Sequence, residues 1–188
     1  MPSTDHPHAP LRERFFDPAA SAAGRVFAQR LLQLLMVQDG STTRLCEAVA
    51  GGPVTLQVPH QAVVAAVPEV VRRMLPGGRF IERRVVLSAR GRVQMDNLSY
   101  IALEGLPADV RRDLEAGLLP IGHLLERMWV RRAFDVTDAE PLRQALWSAC
   151  GLPDPEATRS YRVLAPQGPS MLITETWRRG MLMGAALD

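Results

Sequence analysis

From Ser21 to Val37 the apolar residues Val26, Phe27, Leu31, Leu34 and Leu35 recur at steps of three and four, which predicts an amphipathic helix. Asp39-Gly40 then marks a turn. Ser41, Thr42 and Thr43 are capping residues for a short helix over Arg44–Ala50. A helix start leaves backbone N–H groups unpaired, which suits an anion. An ordinary capped turn is the alternative. Gly51-Gly52-Pro53 breaks the chain, and Val54–Val58 alternates as a short strand. Pro59–Leu75 is apolar and reads as helical, split or kinked at Pro68.

The period then changes to two. Phe80–Ser88 and Arg92–Leu103 read as strands joined by a hairpin at Ala89-Arg90-Gly91. Leu106-Pro107-Ala108-Asp109 opens a helix that ends before Gly117. Leu119-Pro120-Ile121-Gly122-His123 is a proline–glycine step into a short helix that runs through Arg127. Trp129–Val136 reads as a strand, Thr137–Gly151 as a helix and Leu152–Thr158 as a loop. Arg159–Ala165 and Ser170–Trp177 form a second hairpin around Pro166-Gln167-Gly168-Pro169. Gly180–Asp188 is a small-residued apolar tail. Hairpins imply antiparallel pairing, and no strict βαβ alternation appears. The expected class is α+β, an antiparallel sheet of about six strands with helices packed on it.

Met1–Pro10 holds three prolines and two histidines and reads as disordered. Order is expected from Asp17-Pro18, so the chain divides into a leader over 1–16 and one domain over 17–188. A length of 188 residues suits one domain with a real core. Composition excludes more than it selects. All 22 basic residues are arginine. No lysine is present for a Schiff base, a Walker-type phosphate loop or an amine nucleophile. Arginine also favours planar, bidentate recognition of carboxylate or phosphate. A net charge of +2 gives no reason to expect a nucleic-acid partner. Cys46 and Cys150 lie far apart without metal spacing, as buried free thiols do. His60 and His123 have no ligand partner at a helical step, so no metal is expected. No stretch has signal-peptide character or the length of a membrane span, so a soluble, cytoplasmic protein is expected.

The remaining chemistry lies on strands. Arg83 and Arg84 are adjacent in RFIERRVVL, so one can point into the core while the other meets water. A buried guanidinium needs an anion to satisfy it. Arg131, Arg132 and Arg162 also sit on expected strands. Glu175 stands in the apolar run Met171–Trp177, and burial against arginine is expected there. The polar middle of the third strand, Asp96-Asn97 with Ser99, could line a pocket. A structural Arg–Glu pair and a pocket for an anionic small molecule both remain open on these residues.

Taken in order, VQDGSTTRL (37–45), ERRVVL (82–87), LPIGHLL (119–125), the arginines at 131–132 and MLITETW (171–177) resemble the chorismate pyruvate-lyase family. That family includes the bacterial 4-hydroxybenzoate synthases. The resemblance covers about residues 21–178. It implies a six-stranded antiparallel sheet with a ligand enclosed beneath helix–turn lids. It implies cofactor-free cleavage of chorismate to 4-hydroxybenzoate and pyruvate. It places the carboxylate-binding arginine on Arg83 and the glutamate near the ligand hydroxyl on Glu175. It places two backbone N–H donors on Ser41 and Ile121. Arg131, Arg132 or Arg162 is the candidate for a second carboxylate, with Arg132 taken as the binding residue. A non-catalytic sensor of aromatic carboxylates, or an enzyme acting on another cyclic carboxylate, are the alternatives. Ser41 and the Asp96-Asn97 pair depart from the family pattern, as do the longer 135–158 segment and the tail.

Overall fold

The computed structural model describes residues 9–104, 106–116, 121–126 and 128–183. Six strands form one fully antiparallel sheet: β1 (Thr55–Val64), β2 (Phe80–Ala89), β3 (Arg92–Ala102), β4 (Arg131–Ala133), β5 (Thr158–Ala165) and β6 (Gly168–Trp177). Their spatial order is β1-β2-β3-β6-β5-β4. The helices are α1 (Ala22–Val37), α2 (Thr42–Ala50), α3 (Glu69–Met74), α4 (Ala108–Ala116), α5 (Ile121–Leu125) and α6 (Glu140–Cys150). The class is therefore α+β, as the alternating runs imply.

Period two divides the sheet into two covered faces. On the front, Ile81, Ile101, Val163 and Met171 pack under Val110 and Leu114 of α4 and Ile121 and Leu125 of α5. Beside them Val85, Leu87, Met95 and Trp177 pack under Leu32 and Leu35 of α1 and Cys46 of α2. On the back, Phe80, Leu98, Tyr100 and Leu172 meet Val70 and Val71 of α3 and Leu142 and Leu146 of α6. A fully buried Leu or Ile in these layers contributes roughly 1.5–3 kcal/mol. The β2–β3 turn uses Arg90 (φ 52°) and Gly91 (φ 71°), left-handed values that match the twist of the flanking strands.

Two expectations need correction. Pro59–Leu75 is not helical from its start: β1 continues through Val64, and the helix is only α3. Proline is tolerated there because β1 is an edge strand, and the register shifts between Gln57 and His60. That bulge breaks the apolar alternation that would mark one long strand. Secondly, residues 11–16 belong to the folded body. Leu11 bridges to Arg92, and Phe15 is fully buried with its N–H donated to Asp154 at 2.7 Å. Residues 1–8 lie outside those described.

Smaller differences follow from local chemistry. The fourth strand is only Arg131–Ala133 within the expected Trp129–Val136. After β6 the chain turns into a short 3-10 helix, Arg179–Leu182, which buries Met181. The remainder of the expected tail, residues 184–188, lies outside the described region.

Candidate functional site

The register sets side chains of the front face in rows. Val85, Asn97, Glu175 and Arg159 form one row, and Arg83, Ser99, Ile173 and Tyr161 the next. Arg132 on β4 pairs with Val163 and joins the same face. Above these rows a cavity of about 40 Å³ lies under α2 and α5. Val85, Asn97, Ile173 and Glu175 line its floor. Tyr161 and Arg132 close one side, and Thr42, Thr43, Ile121 and Gly122 form its roof.

The roof is held closed by local sequence. Ser41 is the N-cap of α2, and its hydroxyl accepts from the Arg44 N–H. Thr42 and Thr43 are thereby the first residues of that helix rather than caps. Gly122 lets the two helix starts touch. A Cβ there would stand 2.5 Å from Thr43 Oγ1 and 2.8 Å from Ser41 Oγ. The DGSTT turn and the start of α5 are thus brought together over the cavity; residues 119 and 120 of the LPIG step lie outside the described region.

Glu175 is completely buried at the centre. Its carboxylate accepts from Arg159 Nε at 2.7 Å, from Tyr161 Oη at 3.2 Å and from Thr42 Oγ1 at 3.2 Å. Arg159 was not singled out by the sequence, yet it is the partner of this carboxylate. Its Nη1 also donates to the carbonyls of Leu35 (2.6 Å), Gln38 (2.8 Å) and Met36 (3.2 Å), which satisfies the end of α1. The guanidinium lies over the rings of Tyr161 and Trp177, 5.3 and 5.4 Å from their centroids. Burial, and then the nearby Glu175 charge, push the Tyr161 phenol well above its ordinary range, so it acts as a neutral donor.

The arginine pair of β2 divides as alternation requires. Arg83 is fully buried on the front, two residues from the cavity-lining Val85. Burial lowers its pKa to about 10, which leaves it charged at neutral pH. Arg84 points to the back, half-exposed, and pairs with Glu82 at 3.1 Å. Arg132 donates to the Asp39 carbonyl at 2.7 Å and stacks on Tyr161. Its Nε is buried without a hydrogen-bond partner among the described residues. Arg131 is exposed, and Arg162 is paired with Asp135, so neither reaches the cavity. The strands therefore place Arg159 on Glu175 and Arg132 on the wall of the same cavity, while Arg83 lies on that face in the next row, outside the cavity lining.

Asn97 belongs to the cavity and Asp96 does not. Asp96 points to the back, where Arg178 Nε meets it at 2.6 Å and Arg12 at 3.1 Å. His123 pairs with Glu47 at 3.2 Å, and His60 with Glu82 at 3.5 Å. Among the described residues no group of three or more metal-ligating side chains gathers. Nor is any helix among them long and apolar enough to cross a membrane. Both cysteines are free; Cys46 is buried and Cys150 half-buried.

No curated protein matches the chain. Similar solved structures include the ligand-binding domain of a putative GntR-family transcriptional regulator from Bordetella bronchiseptica. It is 15% identical, over 67% of this chain and 83% of that chain, with a TM-score of 0.40. The C-terminal domain of histidine utilization repressor from Pseudomonas syringae is 12% identical over 66% and 91%, with a TM-score of 0.43. The possible transcriptional regulator YydK from Bacillus subtilis is 12% identical over 90% and 84%, with a TM-score of 0.42. The family model described as "Chorismate pyruvate-lyase Rv2949c-like" matches residues 36–182. That span holds both lid turns, the arginine strand and Glu175, and the chain belongs to the Rv2949c-like chorismate pyruvate-lyase family.

Proposed function

We propose that the protein is a cofactor-free lyase that converts chorismate to 4-hydroxybenzoate and pyruvate. The observation that carries this reading is the charge arrangement of the site. Arg132 lines the cavity beside the Arg159–Glu175 ion pair, and Arg83 is buried on the same sheet face one row away, which puts two guanidiniums within reach of a dicarboxylate. Arginine forks match carboxylates bidentately, and the low-polarity surroundings strengthen each contact.

In this reading Arg83 anchors the ring carboxylate and Arg132 holds the enolpyruvyl carboxylate. Backbone N–H groups of Ser41 and Ile121 assist from the lids. Glu175 accepts a hydrogen bond from the ring hydroxyl. The ring loses its C4 proton and its ether bond to the enolpyruvyl group. The proton ends on the methylene carbon of the departing group, which becomes the methyl of pyruvate. Aromatisation drives the reaction, so the protein needs only to hold a reactive conformer away from water. A void of about 40 Å³ is far below the roughly 300–1,000 Å³ of ligand sites. Substrate entry therefore requires α2 and α5 to separate.

Purified protein incubated with chorismate tests this directly, with 4-hydroxybenzoate and pyruvate followed together. Equimolar release supports the lyase. Tight 4-hydroxybenzoate binding without turnover would assign the site to ligand sensing. Neither turnover nor binding would direct the search to another cyclic carboxylate. Arg83→Ala should abolish binding. Glu175→Gln should retain binding with slowed turnover, and unchanged turnover would make Glu175 structural.

A further inference from the structure

The back of the sheet carries a second concavity, far roomier than the front cavity. Helix α6 packs on Leu98 and Leu172 and leaves the back of β1 and β2 partly open. The bulge between Gln57 and His60 borders this gap. The result is a groove of about 510 Å³ against the sheet. Val86 forms its floor, and Leu146 and Ala149 of α6 form a wall, while the Val58 side chain packs on the front core. Arg12, His60 and Arg84 stand along its rim.

The rim is cationic. Arg12 and the buried Arg178 share Asp96, at 3.1 and 2.6 Å. Arg84 and His60 share Glu82, at 3.1 and 3.5 Å. Three guanidiniums and an imidazole thus meet two carboxylates, an excess of one positive charge with His60 neutral. Arg84 Nε is buried and has no hydrogen-bond partner among the described residues. An apolar floor beneath convergent guanidiniums suits a ring bearing a single carboxylate.

We propose that this groove is a second ligand site, for an aromatic or alicyclic monocarboxylate. The ring lies on Val86 and Leu146, and the carboxylate meets Arg84 and Arg12. The volume falls within the ordinary range for small-molecule sites as it stands, so no lid has to open. Val85 and Asn97 contribute to both the groove and the front cavity, so an occupant sits one sheet thickness from Glu175. The site stands independently of whether the front cavity turns over chorismate.

Cys150 lines the groove and is half-buried, whereas Cys46 is completely buried and its thiol pKa is raised by burial. Alkylation of Cys150 by iodoacetamide, read by peptide mass spectrometry, therefore reports groove occupancy. The probe is benzoate, on the full chain. At about ten times its Kd, occupancy should slow alkylation about tenfold. Protection should persist in Arg83→Met, which alters the front site only. It should be lost in Arg84→Gln, which removes the anchoring cation, and in Ala149→Phe, which fills the groove without touching a charge. Inorganic phosphate at the same concentration should protect far less. Four results would overturn the proposal: no protection by benzoate, equal protection by phosphate, full protection in Arg84→Gln, or loss of protection in Arg83→Met.

Discussion

Arg159→Met is the sharpest test of how the front site is held together. The side chain is 4% exposed, and it links Glu175 to three carbonyls at the end of α1. Methionine keeps most of the volume but removes every donor. Glu175 is then left in the core with only the Thr42 and Tyr161 hydroxyls. Breaking a buried pair from one side costs about 3–5 kcal/mol. That is a large part of the roughly 5–15 kcal/mol available to a domain. Glu175→Gln should cost less, about 1–2 kcal/mol, because Arg159 keeps its three carbonyls and the amide oxygen still accepts. In the double variant neither member of the pair is charged, so the two costs should fail to add by about 2 kcal/mol. Urea unfolding, followed through the buried Trp177, measures all three variants, with an unchanged slope confirming a like-for-like comparison. A cost below about 1 kcal/mol for Arg159→Met, or simple additivity, would refute the account of Arg159 as the charge partner of Glu175.

Three further outcomes are expected. Arg83→Met should lose carboxylate binding and remove a pH dependence of stability, since burial lowers the arginine from its ordinary value to about 10. Between those values the unfolded chain holds a proton that the folded chain has released, so wild-type stability rises with pH there. Measured by urea titration, the wild type should therefore gain stability relative to the variant as pH rises through that window. Gly122→Ala should cost about 1–3 kcal/mol in a thermal melt despite alanine's better helix propensity, because its methyl meets Thr43 and Ser41. An unchanged melt would mean that the lids are not in tight contact. Phe15→Ala should cost about 3–5 kcal/mol, and a loss below about 1 kcal/mol would return residues 11–16 to the status of a leader.

Hairpins were the most legible part of the fold, because their turns carry their own chemistry. Ala89-Arg90-Gly91 and Pro166-Gln167-Gly168-Pro169 fix two strand pairs, β2–β3 and β5–β6, from local residues alone. Strand β1 was obscured by Pro59 and the adjacent bulge, which interrupt the alternation that identifies a strand. Parity put one of Arg83 and Arg84 inward and the family resemblance chose Arg83, but its complete burial is set by tertiary packing that no local signal positions. Arg159 was hidden for a more particular reason. Near the turn Leu164 pairs with Pro169, and extending that register would set Thr158 opposite Glu175. A one-residue irregularity between Val163 and Leu164 moves Arg159 into that place. Reading the pair from sequence would have required knowing the bulge. Phe15 was missed because the prolines upstream gave its segment the composition of a tail.

The closed roof has a kinetic consequence. In the proposed reaction, a ligand reaches Glu175 only after the Thr42 hydroxyl leaves it and α2 parts from α5. Ligand encounter then follows a step internal to the protein. In stopped-flow mixing, the observed rate should climb with ligand concentration only until it meets the opening rate, and then level off. A substitution that loosens the contact at Gly122 should raise that plateau. It should also shorten the residence of whatever the cavity holds.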